Sequence, residues 1–377
     1  MSRSRWNGFR RAVVGIPVIP PGWLARIVLY VRALLGRAQR SLAPPSLQVM
    51  EALLSILDNR ALALLVDLRV PDLLSVPRTL HELADDSDTD VSNLQRLLRY
   101  SASRGLLRID RHGRYRSSRL LKALRSDQVN PWTGWVSMAG SDWFWDALRH
   151  LEAPLHDPSV SGIKSASGHE FHEFLNSVRP DAGVSFNTAM EAGSTLQSVV
   201  LAHSLNWSKT RKVCDVGGGT GSALEVLLRA HPLLEAILFD LPEVVDKTRL
   251  ALRSGPLSPR CEIIGGSFFD SVPAGADRYL MLRVINEWDD SHAHMILRAV
   301  VDAMSPDARI LIVEHALPDK PRNDLTVVSD FLKLALIGRE RTASEYQLLF
   351  KSAGLQIDRT ILLSTGATVF QLSEPAH

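Results

Sequence analysis

The chain has 377 residues, 45% of them hydrophobic and 22% charged, a globular composition that excludes a disordered or fibrous chain. It is longer than one hydrophobic core comfortably serves, so more than one domain is expected. Two cysteines, Cys214 and Cys261, exclude a disulfide scaffold and a four-cysteine zinc site. They read as buried fillers in a reducing, cytoplasmic compartment, and no metal site is expected.

The net charge of +2 hides an asymmetry. Residues 1–43 hold eight arginines (3, 5, 10, 11, 26, 32, 37 and 40) and no acid, leaving 35 basic against 41 acidic residues in the rest. The first segment, AVVGIPVIPPGW after Arg10-Arg11, resembles the apolar part of a signal peptide. It is broken by prolines and lacks a small-residue cleavage site, so it is not read as one. WLARIVLYVRALLGRAQR (23–40) then predicts a helix with an apolar face and an arginine face. Such a helix packs on the body or on a partner subunit, or lies peripherally on an anionic membrane at the inner face. No uncharged apolar run is long enough to span a bilayer.

From 44 to about 130 the pattern is helical with short loops. LQVMEALLSILDNRALALLVDL has helical periodicity, Thr79 with Glu82 fits a capping box, and Asp90 or Ser92 caps a helix that Gly105 ends. LLRIDRHGRYRSS alternates about His112-Gly113 and predicts a hairpin. Helices closed by a hairpin make a winged helix. Arg96, Arg99, Arg104, Arg111, Arg114 and Arg116 then fit either phosphate contacts or the solvated rim of a dimerisation module. Residues 131–207 form a further helical region, a linker or substrate lid. Trp132, Trp135, Trp143, Phe144 and Trp145, with Met138, Phe186 and Met190, are core or the wall of an aromatic ligand's pocket.

Over 208–377 strands alternate with helices. RKVCDVGG, EAILFDL, CEIIGGSFF, DRYLMLRV and ARILIVEHAL read as strands. SALEVLLRAHP, EVVDKTRLALRSG, SHAHMILRAVVDAM and TASEYQLLFKSAG read as helices, and QIDRTILLSTGATVFQLSEP as a closing strand pair. The fold class is α/β, a doubly wound, Rossmann-like sheet domain behind a mostly helical winged-helix domain. Strand, DVGGGTG (215–221) and helix follow one another directly. Glycines there let a ligand approach the backbone, and an acid, Asp240, ends the next strand where a carboxylate can bind ribose hydroxyls. Asp215 opening the loop, in place of a third helix-packing glycine, points to a nucleoside without pyrophosphate, which suits S-adenosylmethionine. The alternatives are a plain turn at Gly218-Gly219 and a helix cap at Asp240.

VCDVGGGTGSALEVLLRAHP, FDLPEVV, GGSFFDSVPAGADRYLMLRVINEWDD, LIVEHALP and GRERTASEYQLLFKSAG resemble the plant and bacterial small-molecule O-methyltransferases of the caffeate and hydroxyindole type, from about residue 47 to 373. The resemblance implies S-adenosylmethionine as cofactor and a homodimer intertwined through the winged-helix half, without nucleic acid. It implies that Gly217, Gly218, Gly219 and Gly221 cradle the methionyl end, with Asp215 opening the loop. Asp240 and Leu241 fall at the ribose, Phe268 beside the adenine and Ser194 near the cofactor carboxylate. Phe186 and Met190 fall on substrate-wall positions, and Trp135 and Met138 come from the aromatic cluster. Glu314 and Glu340 correspond to the two glutamates that brace the family's base.

The pattern breaks at that base. The family's His-Asp-Trp is Asn286-Glu287-Trp288 here. An imidazole of pKa about 6.5 suits removal of a hydroxyl proton; a neutral amide cannot take it. Ser267 and Leu282 replace a cofactor-side aspartate and lysine, and Lys333 replaces a substrate-side methionine. Lys333 either stabilises a substrate anion or is a solvated surface residue. Losing a base costs about 10²–10⁴ in rate, whereas positioning is worth effective molarities up to about 10⁵–10⁸ M. The expectation is therefore proximity-driven methylation of a hydroxyl or carboxylate on an aromatic or polyketide-like metabolite, with Asn286 as a positioning group. The alternatives are non-methylating chemistry around the bound sulfonium (hydroxylation, decarboxylation or ring formation) and a ligand-sensing or DNA-binding dimer.

Overall fold

The computed structural model describes residues 22–128, 132–320 and 325–375. Residues 1–21 of the basic arm lie outside them. The chain divides into a mainly helical unit, chiefly residues 27–148 and 172–192, and a sheet unit, chiefly residues 149–171 and 193–377.

The helical unit begins with α1 (Gly22–Leu42) and α2 (Pro45–Asp67). Pro45 at the first turn of α2 suits a position whose N–H needs no intrahelical partner. α3 (Leu80–Ser87) starts on the expected capping box: Thr79 Oγ1 accepts from Glu82 N, and the Glu82 carboxylate accepts from Thr79 N at 2.7 Å. α4 (Val91–Ser103) is capped by Asp90, which accepts from Asn93 N at 2.9 Å. β1 (Leu107–Ile109) and β2 (Tyr115–Ser117) form the antiparallel wing. Leu65, Leu83, Leu98 and Leu121 are fully buried at the centre of this unit, each contributing about 1.5–3 kcal/mol. Three of the six arginines considered for phosphate contact are engaged with acids: Arg104 with Asp58, and Arg114 and Arg116 with Asp110.

The far face of α2 is apolar and uncovered: Leu53, Leu54, Ile56 and Leu57 are exposed, as are Ile27, Val28, Val31, Leu34 and Leu35 on α1. Exposed apolar surface of this kind marks an interaction site. No helix of the described residues is long and apolar enough to cross a membrane. α5 (Thr133–Gly140), α6 (Asp142–Arg149) and the first half of α7 (Pro180–Ser204) complete the unit. Trp143 packs edge-on against Phe144 and meets Phe174, so this part of the aromatic cluster is core.

The main sheet of the sheet unit has seven strands among the described residues: β3 (Lys212–Val216), β4 (Glu235–Asp240), β5 (Cys261–Gly265), β6 (Arg278–Leu282), β7 (Arg309–Glu314), β8 (Gln356–Leu362) and β9 (Thr368–Ser373), beside a separate two-residue pair, Ala316–Leu317 with Arg341–Thr342. Their order is β8-β9-β7-β6-β3-β4-β5, parallel except that β9 runs antiparallel to both of its neighbours. The order reverses at β3, which has β4 on one side and β6 on the other; ligands bind beyond the carboxyl ends of strands at such a point. α8 (Ser222–Ala230), α9 (Asp290–Ala303), α10 (Leu325–Lys333) and α11 (Ala343–Ser352) connect or flank the strands, and Cys214 and Cys261 are buried, unbridged fillers. One expectation fails: EVVDKTRLALRSG is two short helical turns, Pro242–Val245 and Leu250–Arg253, rather than one helix. Tertiary bonds break it. Arg249 N donates to Thr220 O, and the Arg249 guanidinium reaches Glu225 on α8.

Candidate active site

The loop after β3 has the backbone that its glycines permit. Gly217, Gly219 and Gly221 have φ of 72°, 60° and 84°. A Cβ on Gly218 would lie 2.6 Å from Leu238 Cδ1 and 2.7 Å from Asp215 Oδ2, so that glycine is required by space as well. The Gly217 Cα faces Val284, where a Cβ would stand 2.8 Å from a Val284 methyl; the loop therefore abuts the turn that follows β6. The space over Gly219 is open.

Two acids sit under this loop. Asp215 is 1% exposed and neither carboxylate oxygen has a hydrogen-bond partner. Burial, with the charge of Asp240 adding to it, pushes its pKa up to about 7. Asp240 accepts from Gly219 N through Oδ2 (2.8 Å) and from Leu241 N through Oδ1 (2.7 Å), so it ties the glycine loop to the end of β4. Each oxygen keeps a second lone pair for a ligand donor. Burial raises the pKa of Asp240, with Glu287 and Glu243 adding to the rise against those two N–H donors. The cap alternative fails: the short turn beginning at Pro242 has Leu241 at its N-cap position and no side-chain cap.

Asn286 is 1% exposed on a 3₁₀ turn after β6 (Ile285–Glu287). Its backbone N donates to Glu314 Oε1 (3.2 Å) and its Nδ2 to Glu314 Oε2 (2.5 Å). Its Oδ1 is thereby turned outward and accepts from Lys333 Nζ at 2.7 Å. Lys333, the last residue of α10, is thus no solvated surface lysine. Burial pushes its pKa down, as does Arg283, against the pull of Glu340, Glu287 and Glu314.

Arg283 is the counter-charge that sequence reading missed. It donates to Glu314 Oε2 (3.0 Å) and, bidentately, to Glu340 (2.7 and 3.1 Å). It does so from a left-handed backbone, φ 62°, a conformation that costs a non-glycine residue about 1–3 kcal/mol. Burial pushes Glu340 up, but Arg283 more than offsets it and the net shift is downward. Arg341, fully buried, was missed as well. It donates to Ile285 O (3.1 Å) and Trp288 O (2.7 Å) and pairs with Asp290, so it clamps the Asn286 turn from behind. Arg339 N donates to Asn286 O (2.8 Å), and Gly338, φ 78°, lies so close to that carbonyl that no Cβ fits. The signal for these residues is chemical: two buried glutamates, Glu314 and Glu340, demand a cation.

The other expected positions are distributed as follows. Leu241 is exposed at the end of β4. Ser267 Oγ accepts from Phe269 N (3.2 Å) and so shapes the turn that carries Phe268. Phe268 is half-buried and packs edge-on with Phe269 and Trp288, an aromatic group beside the Asn286 turn. Leu282 is half-buried at the end of β6, and Ser194 is half-buried on α7, where its carbonyl accepts from Ser198 Oγ. Trp135, Met138, Phe186 and Met190 belong to the helical unit. Met138 is buried, the other three are half-buried, and the Trp135 indole N–H is buried without a partner. Among the described residues no cluster of His, Cys, Asp and Glu could hold a metal ion.

The chain is similar to known proteins over most of its length. The family model described as the O-methyltransferase domain matches residues 149–356, and that described as the O-methyltransferase dimerisation domain matches residues 50–127. The mitomycin biosynthesis 6-O-methyltransferase of Streptomyces lavendulae is 33% identical over 310 residues, 81% of this chain and 88% of that protein. The calicheamicin-biosynthesis methyltransferase CalO1, solved in its SAH-bound form, has a TM-score of 0.78 and 29% identity, covering 88% of this chain and 98% of that one. NcsB1, an O-methyltransferase from neocarzinostatin biosynthesis solved with S-adenosylmethionine and 2-hydroxy-5-methyl naphthoic acid, has a TM-score of 0.71 and 28% identity, covering 84% and 96%. With the glycine loop, the acid that ends β4 and the braced turn in one sheet unit, the chain belongs to the O-methyltransferase family and is an S-adenosylmethionine-dependent methyltransferase.

Proposed function

We propose that this enzyme methylates a hydroxyl or carboxylate oxygen on a small aromatic or polyketide-like metabolite, and that it does so without a protein base. The carrying observation is the state of Asn286. Both ends of its amide are engaged, by Glu314 and by Lys333, and it offers no proton acceptor to a substrate. Bacterial relatives named for mitomycin and puromycin methylation, and the naphthoic acid bound to NcsB1, support the substrate class.

The residues present fit the cofactor. Asp215 holds two buried acceptors that have no donor, and a buried acid without a partner needs an explanation. The ammonium of a methionyl group is such a donor. Asp240 keeps lone pairs for ribose hydroxyls, the open space over Gly219 leaves room for the ligand, and Leu241 and Phe268 offer apolar surface to a base. Ser194, Ser267 and Leu282 complete the cofactor-side positions. Bound S-adenosylmethionine supplies an electrophilic methyl; the acceptor oxygen takes it as the carbon–sulfur bond breaks, and S-adenosylhomocysteine leaves. The protein's part is to fix Asn286 and hold the acceptor in line. Glu314, Glu340, Arg283 and Arg341 position that turn.

The dimerisation match and the uncovered faces of α1 and α2 support a homodimer. Co-sedimentation with anionic vesicles that disappears when residues 1–43 are removed would assign the α1 face to a lipid surface instead. The test of function is a metabolite panel with methyl-labelled S-adenosylmethionine. Labelled product should appear in step with S-adenosylhomocysteine. Turnover of a substrate with unlabelled product would favour a non-methylating use of the cofactor.

A further inference from the structure

We propose that Lys333 takes over from the missing base by pairing with the acceptor oxygen as an anion, so that the substrate binds ionised and its hydroxyl proton leaves to solvent before the methyl moves. This rests on the methyl-transfer reading above and names the residue that makes it work without a histidine.

The geometry points to an ammonium seated on the amide that stands at the family's base position. Lys333 Nζ has three oxygen neighbours, all acceptors: Asn286 Oδ1 at 2.7 Å, Ile337 O at 3.4 Å and Asn286 O at 3.5 Å. Three acceptors suit a group with three N–H donors, and none asks for a lone pair. Only the first contact has full strength; the two long ones leave donors that an arriving anion can claim. The full bond is also polarised. Glu314 accepts from the Asn286 amide N–H, which makes Oδ1 a better acceptor for Lys333. In the family pattern a glutamate braces an imidazole. Here the chain of contacts is one link longer, from carboxylate to amide to ammonium, and it places a cation rather than a base at its outer end.

Three carboxylates, Glu287, Glu314 and Glu340, and one guanidinium, Arg283, act on Lys333, so the carboxylates favour its cationic form against burial and Arg283. Glu340 is held bidentately by Arg283, with Ser329 Oγ donating to one of the same oxygens, so it already has partners before a ligand arrives. An ammonium that burial and a neighbouring cation disfavour gains the most when an oxyanion arrives. Location supports the role: Asn286 follows β6 on the turn that begins at Val284, against which the cofactor-side Gly217 is pressed.

The test uses 4-nitrophenol and 4-nitrocatechol, whose anions absorb visible light, with the full-length protein saturated in S-adenosylhomocysteine so that no turnover intervenes. About one unit below each ligand's free ionisation midpoint, wild-type protein should convert bound ligand to the coloured anion and lower its midpoint by at least about one unit. Calorimetry in buffers of different ionisation enthalpy should show a proton released on binding. Lys333→Met should abolish the shift and Lys333→Arg should keep it, with the heat of S-adenosylhomocysteine binding as the control for folding. Neutral bound ligand, no bound ligand, or a midpoint as low in K333M as in wild type overturns the proposal. So does an ionised ligand without proton release, which means that a neutral lysine took the proton itself. These outcomes differ from failure of the functional reading, in which wild-type protein binds no S-adenosylhomocysteine at all.

Discussion

Asp215→Asn should stabilise the ligand-free protein at alkaline pH while weakening its hold on the cofactor. The carboxyl is fully enclosed and has no donor, and its pKa is raised from the ordinary value near 3.9 to about 7. Between those two values the native state binds more protons than the unfolded chain, so stability falls as pH rises. The penalty is absent below about pH 4, grows through pH 7 and is constant above it. A shift of about three units corresponds to about 4 kcal/mol. An amide keeps the shape and never ionises, so D215N should match wild type near pH 4 and exceed it by up to about 4 kcal/mol at pH 8. Urea unfolding at pH 4.5 and pH 8, at equal protomer concentration, reads the difference. A D215N gain that is equal at both pH values, or absent at pH 8, would refute the buried unpaired carboxylate. The same variant should bind S-adenosylhomocysteine more weakly, because the donor that relieves Asp215 no longer meets a charge.

Asp240→Ala removes the proposed ribose acceptor along with the tie to Gly219 N, and cofactor affinity measured by calorimetry should fall at least about tenfold. Gly218→Ala drives a methyl onto Leu238 and Asp215 and should cost about 1–3 kcal/mol in unfolding experiments, a loss that a Gly275→Ala control, with nothing near its Cβ but a positive φ, shows only through backbone strain. Arg341→Met leaves Asp290 and two carbonyls without their donor. Asp290 is mostly exposed, so the loss comes from the two carbonyls: stability should fall by about 1–3 kcal/mol and, in protein that still folds, kcat should fall more than KM, because the Asn286 turn loses its clamp. Asn286→His should transfer methyl to weakly acidic phenols at least as fast as wild type. A folded N286H protein that loses existing transfer would show that the amide itself is required.

Local features were legible in the sequence because local physics fixes them. The capping box at Thr79, the strand–glycine–helix run and the acid closing β4 depend on residues a few positions apart. Arg283 was not legible for the opposite reason. In DRYLMLRV it looks like the next-to-last residue of a strand, and only its left-handed turn carries it to glutamates 31 and 57 positions away. Lys333 stayed ambiguous between anion partner and surface residue because helical spacing does not say which side chain waits 47 positions earlier. The helix expected over 243–255 fails for the same kind of reason, since its centre is claimed by Glu225 and Thr220.

The position of β9 has a consequence for how the sheet is completed. The strand is interior, hydrogen-bonded to β7 on one side and β8 on the other, although it comes after every other strand in the chain. A polypeptide interrupted between residues 362 and 368 would therefore carry all the other strands yet present two unpaired rims, one on each side of a slot lined by Leu311 and Val313, and such rims recruit strands from other molecules. Truncated translation products of this protein are thus expected to clump rather than persist as smaller soluble enzymes, and a synthetic peptide spanning 366–375, added in trans, is the reagent that would rescue them.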